Sequence, residues 1–181
     1  FKIRISNGYE HITRSQIEDM LINFQKNIKR TIGSTVTRID CFNHTEKGTI
    51  TKNSRRNGKF FYDGHIELYN LPKGVNAFNV LSHELSHAFD WYFGEGKKFG
   101  LSTIKLWEDA VLQDDKKHGK RTFPSDYAMR SYYKHDKEYK DNLNEWESDK
   151  TAPKPVNNKY IEDFAESSMW YLNPLTHKSL D

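Results

Sequence analysis

Apolar residues recur at helical spacing after residue 15, and this pattern predicts the first helix, at about residues 15–32. Ser15 to Glu18 has the form of a capping box at its start, and Gly33 is a natural stop at its end. The predicted core-facing stripe is Ile17, Leu21, Phe24, Ile28 and Ile32. This helix is therefore expected to pack one face against the core.

Further helices are predicted from the same periodicity at about residues 76–93, 102–117 and 157–172, with Pro174 ending the last one. Residues 131–156 are charged and rich in tyrosine, and they close on Pro153 and Pro155. We expect this segment to be an insertion with some helix and a proline-rich exit.

Between the first two helices the pattern changes to alternation, which is typical of half-buried strands. Alternating runs occupy residues 35–39, 48–51 and 60–69, and Asp63 and Gly64 interrupt the third run. Beyond that break, Ile66 and Leu68 lie on one face of the predicted strand, and Glu67 and Tyr69 lie on the opposite face. The order of elements predicts an α+β fold, with a small mixed or antiparallel sheet packed on the helix at 76–93.

Length and composition narrow the function classes. The 181 residues fit a single domain, 1–181, and 14% aromatic content argues against disorder. A net charge of +3 is below what a nucleic-acid binder requires, so no nucleic-acid partner is expected. Cys41 is the only cysteine, which excludes an internal disulfide. The sequence contains no run of 18 apolar residues, so no membrane span is predicted. We expect a monomer.

The helix at 76–93 carries the sequence His83-Glu84-Leu85-Ser86-His87. Residues four apart lie on one helical face, so both imidazoles can reach one metal ion from the same side. Glu84 projects about 100° round the axis from His83, where it can accept a proton from metal-bound water without binding the metal. This spacing predicts a zinc site with one ion and Glu84 as the general base.

A catalytic zinc site needs a third protein ligand, and the helix at 157–172 offers Glu162 and Glu166, which share a face. One can bind zinc while the other holds a ligand histidine in its tautomer. Two solvated glutamates are the alternative for an isolated helix. In a second alternative, the aspzincin arrangement, Asp109 or Asp114 is the third ligand.

Four segments in order give a more specific resemblance over residues 60–173: His-Glu-Leu-Ser-His-Ala-Phe-Asp-Trp-Tyr, Ser-x-x-x-Leu-Trp, Pro-Ser-Asp-Tyr-Ala and Glu-Asp-Phe-Ala-Glu. Together they resemble the catalytic domain of the anthrax lethal factor-like peptidases. These are gluzincins, in which two histidines and a glutamate bind zinc, and the pro-pro endopeptidases of clostridia are similar. The resemblance implies a zincin-like fold.

Carried over by position, the resemblance makes Glu162 the third ligand and Glu166 the carboxylate that orients a ligand histidine. Tyr127 becomes the phenol that stabilises the oxyanion, and Asp90 takes a structural or histidine-orienting role. The chain departs from the family because residues 129–159 separate the tyrosine and glutamate motifs. Other candidates for the phenol are Tyr132, Tyr133 and Tyr160.

The sequence therefore predicts a zinc-dependent metalloendopeptidase that acts on a peptide or protein substrate. The strand at 65–69 is expected to form the upper rim of the cleft, with an exposed edge to which an extended peptide adds as a strand. The alternative is a non-catalytic, zinc-stabilised interaction module of a toxin or phage protein. No signal peptide is visible, and we expect a secreted or extracellular protein, with delivery into a host cell or association with a phage as alternatives.

Overall fold

A computed structural model of the chain describes residues 1–28, 35–45, 56–93, 100–103, 105–148, 151, 155 and 157–172. This part of the chain has five α-helices and a four-stranded mixed sheet. The predicted α+β class and small sheet are confirmed, whereas the helix Asp126–Ser148 and the strand Lys2–Ile5 are additional elements. The chain divides into two compact units. One comprises residues 1–89 with the end of the chain from residue 168, and the other comprises residues 90–167. The expectation of a single catalytic domain stays a prediction.

The sheet lies in the first unit. Its strands are β1 (Lys2–Ile5), β2 (Arg38–Cys41), β3 (Gly58–Phe61) and β4 (His65–Leu68), in the spatial order β1-β2-β4-β3. β1, β2 and β4 are parallel, and β3 runs antiparallel to β4. β1 is an element that the sequence analysis missed, although Lys2-Ile3-Arg4-Ile5 alternates polar and apolar residues. The predicted strand at 48–51 lies outside the described residues.

The aromatic run at 60–69 is a hairpin, and its break is the turn. Gly64 adopts φ +83° and donates its N–H to the Phe61 carbonyl at 2.9 Å, a conformation that suits glycine. β4 therefore lies between β2 and β3. The expectation that the strand at 65–69 is an exposed edge is wrong, because the turn folds residues 58–61 back along that side of it.

The first helix, α1, spans Arg14–Ile28. Its capping box is formed by Thr13 and Gln16, and not by Ser15 and Glu18 as predicted. The Gln16 N–H donates to the Thr13 Oγ1 at 3.3 Å, and the Thr13 N–H donates to the Gln16 Oε1 at 2.9 Å. Both pairs have the three-residue spacing of a capping box. The helix uses Thr13 and Gln16 because the preceding residue, Ile12, is buried and fixes the direction in which the chain enters the helix.

The second helix, α2, spans Ala77–Phe93, within one residue of the prediction. The Asn76 side chain caps it by accepting the Phe78 N–H at 2.8 Å. α1, α2 and the sheet share one apolar core, which includes Ile17, Leu21 and Phe24 from α1, Ile39, Ile66 and Leu68 from the sheet, and Leu81, Leu85 and Ala88 from α2. The prediction that the sheet packs on this helix is confirmed.

The second unit is helical. A 3₁₀ turn at Leu101–Thr103 is followed by α3 (Lys105–His118), α4 (Asp126–Ser148) and the first part of α5 (Ile161–Leu172). Most of the expected insertion is the regular helix α4, whose half-buried side carries Tyr132, Tyr139, Leu143 and Trp146. High charge hid this stripe from the sequence pattern.

No helix in the described ranges has the length and apolar character needed to cross a membrane.

Candidate metal centre and active site

His83 and His87 lie one turn apart on α2, beside its buried stripe. Leu81, Leu85 and Ala88 turn into the core and are at most 1% exposed, so the two histidines come to lie at the edge of that stripe, half-buried. The helix spacing thus places the two imidazoles of the sequence motif on one face of α2. Local structure alone is enough to explain this pair.

The two imidazoles converge on one point. Their Nε2 atoms are 3.0 Å apart, and their rings meet edge to face with centroids 4.6 Å apart. In a tetrahedral site with metal–nitrogen bonds of about 2.0–2.1 Å, two ligand nitrogens are separated by about 3.3 Å. The observed separation is close to this value, so the pair fits a shared metal ion.

Glu162 completes a candidate triad. One ligand atom each from His83, His87 and Glu162 all lie within 4.8 Å of one another, and all three residues are half-buried. Two imidazole nitrogens and one carboxylate oxygen form a donor set that suits a divalent transition metal. The structure therefore contains a candidate metal-binding triad made of the three residues predicted as ligands.

The competing aspartates are engaged elsewhere. Asp109 pairs with Lys105 on the same helix at 2.8 Å, and Asp114 accepts a hydrogen bond from the Thr122 hydroxyl at 2.9 Å. In the described residues, Glu162 is the carboxylate that groups with the two histidines. This grouping favours Glu162 over Asp109 and Asp114 as the third ligand.

Glu84 is buried, at 6% exposed, although it carries an ionisable carboxylate. It lies between the two histidines in sequence, and its carboxylate packs close to the first residue of β3. A buried carboxylate is costly unless something in its surroundings compensates for it. The burial of this carboxylate therefore indicates that Glu84 has a specific chemical role.

Asp90 and Glu166 were predicted to support the site. The Asp90 carboxylate is 3% exposed and accepts two hydrogen bonds from Ser102, from its N–H and from its hydroxyl, both at 2.7 Å. It thereby anchors the 3₁₀ turn that follows α2. Glu166 is half-buried on α5, one turn after Glu162. Their roles at a metal remain predictions.

The four candidate tyrosines have different surroundings. Tyr127 is the second residue of α4 and is 55% exposed, and Tyr133 is 58% exposed. Tyr132 and Tyr160 pack together with ring centroids 5.5 Å apart, and burial raises the pKa of Tyr160. Tyr160 is therefore a packing residue of the second unit, whereas Tyr127 has the accessibility that contact with a substrate requires.

An ion pair beside the proposed third ligand was missed from the sequence. The Arg121 guanidinium bridges Asp115 at 3.2 Å and Asp163 at 3.0 Å, and Asp163 is 3% exposed. Burial raises the pKa of Asp163, and the neighbouring Arg121 acts in the opposite direction. Asp163 immediately follows Glu162, so this pair fixes the first turn of α5. No spacing rule links residues 121 and 163, and only the fold brings them together.

No protein-family model, curated protein or solved structure matches the chain.

Proposed function

We propose that this chain is a zinc-dependent metalloendopeptidase of the gluzincin type. The observation that carries the proposal is the grouping of His83, His87 and Glu162 within 4.8 Å, with Glu84 between the two histidines in the helix. A purely structural metal site does not need a glutamate at that position. The resemblance to the lethal factor-like peptidases supports the same assignment.

The donor set supports zinc as the metal, because two imidazoles and one carboxylate are the protein ligands of many catalytic zinc sites. Zinc bound there would supply a water of lowered pKa and a Lewis acid for the scissile carbonyl. His83, His87 and Glu162 would hold the ion, and Glu166 is the carboxylate that would orient a ligand histidine.

Glu84 performs the proton transfers. With zinc bound, its carboxylate would accept a proton from the nucleophilic water and return it to the leaving amine. Burial of the side chain keeps its position fixed between these two steps. Tyr127 donates its phenolic hydrogen to the developing oxyanion, a role in which preorganised donors lower the barrier most.

The sheet edge offers a place for the substrate backbone. The Tyr69 N–H donates to the Asn57 carbonyl at 2.9 Å, which makes Asn57 and Tyr69 a hydrogen-bonded pair. Such pairs alternate along an antiparallel ladder, so the N–H and C=O groups of Gly58 and Phe60 point away from β4. In the described part of the chain β3 has no other neighbour. An extended peptide would add to β3, and not to β4 as expected from the sequence.

The test is Glu84→Gln, which keeps the size of the side chain but cannot accept the proton of the water. We expect zinc binding and folding to be retained and peptide cleavage to be lost by at least about 1000-fold. Glu18→Gln, an equivalent change on the exposed side of α1, is the control and should leave turnover intact.

Near-normal turnover by Glu84→Gln would remove Glu84 from the base role. A wild-type chain that binds zinc and cleaves nothing in an unstructured protein substrate would instead support the non-catalytic zinc module.

A further inference from the structure

Gly58, the first residue of β3, lies directly against the general base of the proposed reaction. A Cβ atom built on Gly58 would be 2.8 Å from the Glu84 Oε1 and 2.9 Å from the Glu84 Cγ. It would also be 2.8 Å from the Val80 Cγ1, one helical turn before Glu84. Such distances are well below ordinary contact, so any side chain at position 58 must displace one of these groups.

The backbone conformation does not explain the glycine. Gly64, Gly74 and Gly8 all adopt a positive φ, whereas Gly58 has the ordinary backbone of a strand. Glycine inside a strand weakens it, and it commonly marks a site where another group approaches closely. Here the approaching group is the Glu84 carboxylate, so the requirement at position 58 is one of space.

At Gly58, the side-chain position and the backbone N–H and C=O groups point in different directions. Gly58 and Leu68 form a non-hydrogen-bonded pair, so the missing side chain of Gly58 points to the face that carries Leu68 and the core. Its N–H and C=O point off the outer edge, where the proposed substrate adds. One residue thus touches the base on one side and offers backbone hydrogen bonds on the other.

We infer that Gly58 is a positioning residue for Glu84: the absence of a side chain at the edge strand sets the place of the catalytic carboxylate. The inference rests on the proposed function for its catalytic consequence. The packing relation between Gly58 and Glu84 can be tested without it.

The first experiment is a double-mutant cycle in thermal stability, which needs no peptidase activity. Gly58→Ala in the wild-type chain should lower the melting temperature by about 5 °C, because an overpacked methyl group strains its neighbours. Glu84→Ala removes two of the three atoms nearest to the added methyl group. In that background, Gly58→Ala should lower the melting temperature by less than half as much, whereas equal shifts in both backgrounds would overturn the inference.

The second experiment separates positioning of the base from general damage. Gly58→Ala should lower kcat by about 10–100-fold, because a displacement near 1 Å has that effect at a catalytic group. KM and zinc affinity should change by less than about threefold, since the three atoms nearest to the added methyl group belong to Glu84 and Val80 and not to a ligand histidine.

Val80→Ala should restore most of the lost kcat to Gly58→Ala, because it makes room for the methyl group on the other side. A loss confined to KM, or no recovery with Val80→Ala, would overturn the positioning role.

The proposed peptidase function and the positioning role of Gly58 can be refuted independently. A wild-type chain without turnover refutes the proposed function, while the cycle in melting temperature still decides whether Gly58 sets the position of Glu84. Normal kcat in a folded Gly58→Ala chain refutes the inference and leaves the proposed function standing.

Discussion

Replacing Asp90 with alanine removes the acceptor for two hydrogen bonds that hold the 3₁₀ turn after α2. The Ser102 N–H and hydroxyl each donate to this carboxylate at 2.7 Å, and both residues are at least 97% buried. A hydrogen bond to a charged group contributes about 1.5–3 kcal/mol, and a buried donor left without an acceptor adds to the loss. Relief of the buried charge offsets part of this sum, so we expect a loss of about 3–5 kcal/mol.

Thermal unfolding followed by circular dichroism measures this loss. For a chain of this size, it corresponds to a fall in melting temperature of roughly 10 °C. Ser102→Ala removes one of the two donors and should cause about half the shift. Asp109→Ala, which removes an exposed carboxylate from the next helix, should cause none. If Asp90→Ala and Asp109→Ala behave alike, Asp90 is not an anchor of the turn.

Three further outcomes are expected. Glu162→Ala should weaken zinc binding by more than about 100-fold and Glu166→Ala by about 10–100-fold, measured by competition with a chromogenic chelator; the reverse order would shift the ligand assignment by one turn. Thr13→Ala should cost about 1 kcal/mol in urea unfolding and Ser15→Ala less than about 0.5, and equal losses would contradict the observed cap. Burial raises the pKa of the Cys41 thiol to about 12, so iodoacetamide should label it at pH 8 only after unfolding; rapid labelling of the folded chain would show that the thiol is accessible.

The parts of the site that depend on one helix were predictable from the sequence. Helical spacing alone places His83 and His87 on one face, and the same periodicity located α2 within one residue. Glu162 lies 75 residues after His87 in the sequence. Residue spacing therefore did not decide whether the third ligand is Glu162, Glu166 or one of the aspartates of α3. A resemblance to a known motif, and not local physics, selected the first glutamate.

The arrangement of the sheet was harder to predict because strand order depends on long-range pairing. Alternation in residues 60–69 indicates a strand, but it does not show that Gly64 reverses the chain and makes β3 the edge. The close approach of Gly58 to Glu84 was hidden for the same reason. The charged helix α4 was read as an insertion, because its half-buried stripe is interrupted by many ionised residues.

Metalloendopeptidase activity is tested most directly by metal-dependent cleavage of a peptide library, followed by mass spectrometry. The purified chain is assayed as isolated, after removal of metal with a chelator, and after return of one equivalent of zinc. We expect cleavage at internal peptide bonds with a consistent sequence preference, loss of cleavage on chelation, and recovery with zinc. Cleavage that persists unchanged after metal removal, or no cleavage by the zinc-loaded chain at any concentration tested, would contradict the proposed function.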